Sequence, residues 1–320
     1  MSGQGPPEPL GAAAREPRSL RRSLAPLTMV IVLALVATYL VHERDVLFRS
    51  ARPRLVLLLP LAMVEASLLA LRGALLRHLC GAFDARISLA ESSGLMAASS
   101  LANYLAPGVG GSAVRAGYLR RRQGLPLVSF LYVQSASYLF QYMAVSAIGV
   151  VVVSFLTGLE WRARGTLLIA FGLVALLSAG VLYPPLAAPQ GRSRLARAVS
   201  HAAEGRRKIH ERGTAVVAVL ALTHLAATAV SIHVGFRALG HVVGALPSLV
   251  LACLSELSIL VSLTPAGLGV VEAVVGVGAA ALGLPPAVAV AATALRRGAN
   301  VAVAGLIGGA TLGRAAFRRS

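Results

Sequence analysis

Seven charged residues stand out because they lie in or beside long apolar runs: Glu65, Glu91, Arg115, Glu256, Glu272, Arg296 and Arg297. A charge at membrane depth costs about 3 kcal/mol on insertion scales, so each needs a partner or a wet cavity. Guanidinium forks grip phosphate through two parallel hydrogen bonds, and a carboxylate beside them suits an amine or hydroxyl group. On this reading Arg115, Arg296 and Arg297 contact an anion, while Glu256 and Glu272 position its polar partner or balance charge. The same residue types also serve a purely structural purpose, in which Arg296 or Arg297 pairs with Glu272 or Glu256 and locks helices together. Asn103, with Ser99, Ser100 and Ser112, adds small polar groups that line a cavity or pack helices.

Other chemistries find no footing. No Ser-His-Asp order, GxSxG, P-loop, HExxH or paired-carboxylate motif is present, so no catalytic residue is assigned and no enzymatic role is read from the sequence. His224 and His233 are nine residues apart, which sets them on opposite sides of a helix, and Cys80 and Cys253 belong to no CxxC or Cys/His cluster. Neither a metal nor a cofactor is expected. Tyr132, Tyr138 and Tyr142 read as packing or interfacial residues.

The elements that position these residues follow from composition. Of 320 residues, 57% are hydrophobic and only 13% charged, and the mean hydropathy is +0.76. Too few polar side chains remain to clothe a soluble globule of this size. The 30 Lys and Arg against 12 Asp and Glu give a net charge of +18, but the arginines fall between apolar stretches rather than along one polar face, which argues against a nucleic-acid partner. Six stretches are long enough to cross the hydrocarbon: 24–41, 55–71, 125–157, 166–183, 214–236 and 287–312. Residues 1–23 read as a disordered basic cytoplasmic tail, and 24–313 as one transmembrane domain. Its halves, 55–183 and 214–313, flank a basic cytoplasmic loop at 190–213.

Two further stretches, 87–124 and 246–284, are broken near their middles by Ala106-Pro107-Gly108-Val109-Gly110-Gly111 and by Thr264-Pro265-Ala266-Gly267-Leu268-Gly269. Backbone opened this way survives at membrane depth only when buried in protein or lining a wet cavity. Pro107, Gly108 and Gly110, and Pro265, Gly267 and Gly269, are assigned the role of holding the breaks open. Helix N-termini at the breaks would turn positive dipole toward an anion. The positive-inside rule sets the tail, the 190–213 segment and the end with Arg314, Arg318 and Arg319 in the cytoplasm, at the cost of four arginines in an external 42–54 loop. Each break then enters and leaves on one side, the first from inside and the second from outside.

The two breaks also resemble each other. Seventeen residues separate Pro107 from Gly124-Leu-Pro, and eighteen separate Pro265 from Gly283-Leu-Pro. A charge follows a glycine by five in both, Gly110 to Arg115 and Gly267 to Glu272. Paired interrupted helices on opposite faces are the mark of inverted-repeat transporters. The expected fold is therefore all-α: a polytopic membrane helix bundle of about six spans plus two re-entrant hairpins in an inverted repeat.

Two motifs, Asn103-x-x-x-Pro107-Gly-x-Gly-Gly-x-x-x-Arg115 and Thr264-Pro265-x-Gly267-x-Gly269-x-x-Glu272 leading to Leu282-Gly-Leu-Pro285 and Arg296, resemble the lysylphosphatidylglycerol synthase transmembrane-region family, the flippase-like membrane domain of bacterial multiple peptide resistance factors. The resemblance covers most of residues 20–315. It departs where relatives carry a Gly-Glu pair before the motif arginine and a Glu-Arg pair in the next helix; here Ser112 and Gln134-Ser135 stand in those regions. The resemblance implies a multi-pass protein of the bacterial inner membrane whose partners are membrane lipids, with translocation of an anionic phospholipid or lipid-linked intermediate between leaflets as the leading function. A membrane-embedded accessory or transferase role beside a partner enzyme of envelope lipid synthesis is the alternative. Aminoacyl transfer in full-length relatives resides in a soluble C-terminal domain, so this chain is not expected to aminoacylate lipid by itself.

Overall fold

In a computed structural model the structure describes residues 54–105, 109–183, 194–261 and 265–317. The expected tail, the expected span 24–41, Pro107, Gly108, Thr264, Arg318 and Arg319 lie outside the described residues. Among those described there is no strand. The helices are α1 (Leu58–Gly81, entered through a 3-10 turn at Leu55–Leu57), α2 (Leu89–Leu105), α3 (Gly110–Gln123), α4 (Leu127–Phe155), α5 (Trp161–Leu182), α6 (Arg194–Ala238), α7 (Ala245–Leu257), α8 (Val270–Ala281) and α9 (Pro286–Phe317).

Four helical segments are long and apolar enough to cross a membrane: Leu55–Gly81, Leu127–Phe155, Trp161–Leu182 and Gly213–Ala238. They match four of the six expected spans. The last expected span, 287–312, is helical within α9 but is not among these four, since Arg296 and Arg297 interrupt its apolar run. The protein is a multi-pass membrane helix bundle. Its outer surface agrees: Val56, Ile169, Leu176 and Leu306 are exposed, and Trp161 and Tyr183 mark the two ends of α5, where aromatic side chains anchor a span at the headgroups. The basic segment expected as a loop at 190–213 is helical from Arg194 and joins its span through Gly213, whose φ of 113° makes a kink.

Both broken stretches are helix–break–helix units, α2 to α3 and α7 to α8. Their Gly-Leu-Pro tripeptides do one local job twice. Gly124 (φ 65°) and Gly283 (φ 69°) end α3 and α8 in the left-handed conformation that a side chain would resist, and the proline precedes the next helix. Similarity in sequence here reflects similarity in backbone.

Three apolar clusters surround the breaks. One joins α1, α2 and α3 to the first half of α4 around Leu79, Leu119, Phe130 and Val133. A second joins α7, α8 and α9 to the second half of α4 around Val153, Phe171, Leu251 and Val275. A small third cluster, Leu69 with Ala97, Val303 and Ala304, ties α1 and α2 to α9. Close helix approach depends on Gly73 of α1, where an added Cβ would sit 2.8 Å from the Ser93 backbone nitrogen of α2. Gly73→Leu is expected to cost about 1–3 kcal/mol through forced helix separation. Gly172→Leu, at a position with open space, should cost far less, as thermal unfolding of the two purified variants in detergent will register.

Candidate functional site

The breaks and five of the seven charged residues converge on one cavity of about 610 Å³ between α1, α2, α3, α4, α6, α7, α8 and α9. Four arginines line it, Arg72, Arg115, Arg296 and Arg297, together with Glu65 and Glu256. Ser99, Ser100, Asn103 and Ser112 face it from the first break, and Ala266 and Gly267 from the second. Thus Asn103, Arg115, Glu256, Arg296 and Arg297, singled out from sequence, share a single wall system. Glu272 does not line it.

The second break explains why. Ala266, Gly267 and Gly269 have φ of 50°, 70° and 81°, a left-handed run that costs energy at the alanine and leaves backbone groups unpaired by any helix. Arg297 repairs this from α9. One terminal nitrogen donates to the Ala266 carbonyl at 2.9 Å and the other reaches the Gly267 carbonyl at 3.4 Å. Its Nε stands 2.9 Å from Glu272 Oε1, while Glu272 Oε2 accepts from the Gly269 N–H at 2.8 Å. Glu272 is therefore engaged by the backbone and by Arg297, the helix-locking pair that the sequence reading allowed beside a ligand role. Its position in the first turn of α8 was the sequence signal for a capping role.

The first break is closed by a side chain from the opposite helix. Asn103 Oδ1 of α2 accepts from the Gly111 N–H of α3 at 2.8 Å, so this helix N-terminus is also partly occupied rather than turned wholly to the cavity. Gly111 permits the approach, because an added Cβ would lie 2.6 Å from both Asn103 Oδ1 and the Ser99 carbonyl oxygen.

Two of the remaining arginines are neutralised. Arg296 Nε donates to Ser231 Oγ at 2.7 Å and lies 3.6 Å from Glu65 Oε1; Ser231 Oγ in turn donates to Glu65 Oε1 at 2.5 Å, and Asn300 Nδ2 donates to Oε2 at 3.2 Å. Arg72 lies 3.7 Å from Glu256 Oε1 and its Nε donates to His224 Nε2 at 2.9 Å, while Thr228 Oγ1 is 3.2 Å from the same carboxylate oxygen. Arg296 thus pairs with Glu65, not with Glu256 or Glu272 as the sequence reading allowed. Arg72, Ser231, His224 and Asn300 had no signal beyond their residue types, since every partner lies on another helix. Tyr138 and Tyr142 stack at 5.9 Å on the cavity wall. Glu91 accepts from the Tyr118 hydroxyl and takes no part in the cavity.

Arg115 differs from the other three. It is 8% exposed, and it donates to neutral atoms: the Gly111 carbonyl at 3.3 Å, Ser112 Oγ at 3.5 Å and Met96 Sδ at 3.6 Å. Among the described residues no carboxylate pairs with it.

A helical bundle with two interrupted helix pairs around a charge-lined cavity defines a class of polytopic membrane proteins. The chain belongs to the lysylphosphatidylglycerol synthase TM region family, whose profile matches residues 23–308. Comparison with curated proteins finds no match to the chain. Family membership makes this a membrane protein of lipid synthesis or translocation.

The clamp on the second break is open to test. Arg297→Leu strands the Glu272 carboxylate in a buried setting and is expected to cost about 3–5 kcal/mol. The double variant Arg297→Leu/Glu272→Gln keeps an acceptor for the Gly269 N–H without the stranded charge. It should therefore unfold at a higher temperature than the single variant, a non-additivity that a thermal double-mutant cycle measures.

Proposed function

We propose that the cavity receives the phosphate of an anionic lipid headgroup and that the protein moves that lipid between leaflets of the bacterial inner membrane. The observation that carries this reading is Arg115, a buried guanidinium on the cavity wall with no carboxylate paired to it among the described residues. A buried unpaired charge is unfavourable, and an incoming phosphate diester supplies the missing anion in the geometry a guanidinium fork prefers. The cavity volume of about 610 Å³ falls in the range of small-molecule sites and matches a headgroup rather than a whole lipid. Acyl chains would remain in the bilayer. Breaks entered from opposite faces, with both termini cytoplasmic, would expose such a site to either leaflet in turn. Family membership supports lipid as the ligand class.

Reconstitution into vesicles containing fluorescent phosphatidylglycerol, with dithionite quenching of the outer leaflet, tests the reading. The wild-type protein should accelerate leaflet exchange above empty vesicles. Arg115→Gln should lower the rate roughly tenfold or more, in keeping with about 1.5–3 kcal/mol for a charge-assisted hydrogen bond, while its unfolding temperature holds. Unaltered leaflet exchange together with an altered lipid inventory in a deletion strain would favour a role in lipid synthesis instead.

A further inference from the structure

Behind the cavity wall, His224 joins the Arg72–Glu256 pair. His224 of α6 is 3% exposed and is held between a cation and an anion. Arg72 Nε donates to its Nε2 at 2.9 Å, and its Nδ1 stands 3.9 Å from Glu256 Oε1. Because Nε2 accepts a hydrogen bond, it carries no proton, and the ring is the neutral Nδ1–H tautomer with its N–H on the carboxylate side. The helices packed around it contribute Arg72 from α1, Glu256 from α7 and Arg296 within electrostatic reach from α9. From α4, Tyr142 stands within reach of Glu256 and Arg72. Arg72 is the member with freedom to move: its side chain is 32% exposed, against 4% for His224 and 10% for Glu256, and it lines the cavity.

We propose that the His224–Arg72–Glu256 cluster is a proton-binding site coupled to headgroup binding, so that the lipid anion and one proton occupy the protein together. The inference rests on the anionic-lipid reading of the cavity. When a phosphate enters beside Arg115, it draws the Arg72 guanidinium off His224, and the Arg72 Nε–H···Nε2 hydrogen bond breaks. A proton from cavity water then binds the vacated Nε2. The resulting imidazolium, positive at both nitrogens, takes over Glu256 through its Nδ1–H, so the carboxylate does not lose a cation when Arg72 leaves. In the empty state the Nε2 lone pair is occupied by Arg72 and the proton has no place. Linkage makes the effect reciprocal: a phosphate that promotes proton binding is itself bound more tightly when the proton is present. The bound state holds one proton more than the empty state, so affinity rises as pH falls, by up to about tenfold per pH unit for one proton. Arg296 differs, because its Ser231 and Glu65 partners leave no histidine to titrate.

The test is calorimetric titration of the full chain in detergent with a short-chain phosphatidylglycerol below its micelle concentration. Titrations run in buffers of different ionisation enthalpy at several values between about pH 5 and 8, the window in which a histidine changes charge. The dependence of the observed heat on the buffer gives the number of protons taken up. Wild type is expected to take up about one proton per headgroup across part of that window, with affinity rising toward acid. His224→Gln retains an acceptor for Arg72 and should bind with no uptake and a flat pH profile. Arg72→Gln, which removes the group to be displaced, should likewise lose uptake while Arg115 still supports binding. Binding by wild type without proton uptake overturns the coupling and leaves the lipid reading standing. Uptake that persists unchanged in His224→Gln overturns the assignment to this cluster. If wild type does not bind the lipid at all, the lipid reading fails and the coupling falls with it.

Discussion

An opened backbone inside a bilayer must find its hydrogen-bond partners within the protein, because lipid offers none. That constraint organises this bundle. At the second break Arg297 and Glu272 between them serve the Ala266 and Gly267 carbonyls and the Gly269 N–H, so one ion pair holds a strained, left-handed turn at the mouth of the cavity. At the first break Asn103 serves the Gly111 N–H across the gap. The solutions differ in chemistry, a charged clamp in one and a neutral amide in the other. The charged clamp uses up the carboxylate that would otherwise neutralise another arginine. The neutral one brings no carboxylate to Arg115, which has no counter-ion among the described residues.

The distribution of charge around the cavity follows from that difference. Arg72, Arg296 and Arg297 each have a glutamate at 3.7, 3.6 and 2.9 Å, respectively. Desolvation of an ion pair is costly, and pairing offsets it only when further hydrogen bonds satisfy the remaining donors and acceptors. Glu65 meets that condition with Ser231 and Asn300, and Glu272 with the Gly269 N–H. Arg115 meets it only with neutral acceptors. Ser112 Oγ, at 3.5 Å, is one of them.

Much of this was legible in the sequence. The breaks announce themselves through Pro and Gly inside apolar runs, and the Gly-Leu-Pro repeat encodes two left-handed helix ends, Gly124 and Gly283. Residues named for their charge, Arg115, Glu256, Arg296 and Arg297, do meet at the cavity. What could not be read was who pairs with whom. Glu65 and Arg296 are 231 positions apart, and Arg72 and His224 are 152 apart, so no local pattern links them. The apolar stretch 55–71 stops short of Arg72, whereas the helix runs on to Gly81 and sets the guanidinium on the cavity wall. Glu272 three residues after Gly269 carries a capping signal, but the same spacing suits a cavity ligand, so sequence alone did not choose between the two.

The packing also limits how a cavity of this kind is exposed. Helix α4 contributes Phe130 and Val133 to one apolar cluster and Val152 and Val153 to another, and α6 likewise supplies Ile209 and Val217 to the first and Leu225, Ile232 and Phe236 to the second. A rigid-body separation of two halves would tear both helices from one set of partners. Because lipid tails are as apolar as the core, the cost of such a separation is lost packing rather than exposure to water, and it falls on many side chains at once. Rearrangement at a break disturbs far fewer groups, and these are polar ones that water or a ligand can satisfy. Rearrangement is therefore least costly at the breaks, where Asn103 accepts from the Gly111 N–H and Arg297 of α9 donates to the Ala266 carbonyl. Polar backbone and charge are thus concentrated where motion is least costly, and continuous helices are kept where the bundle must hold together.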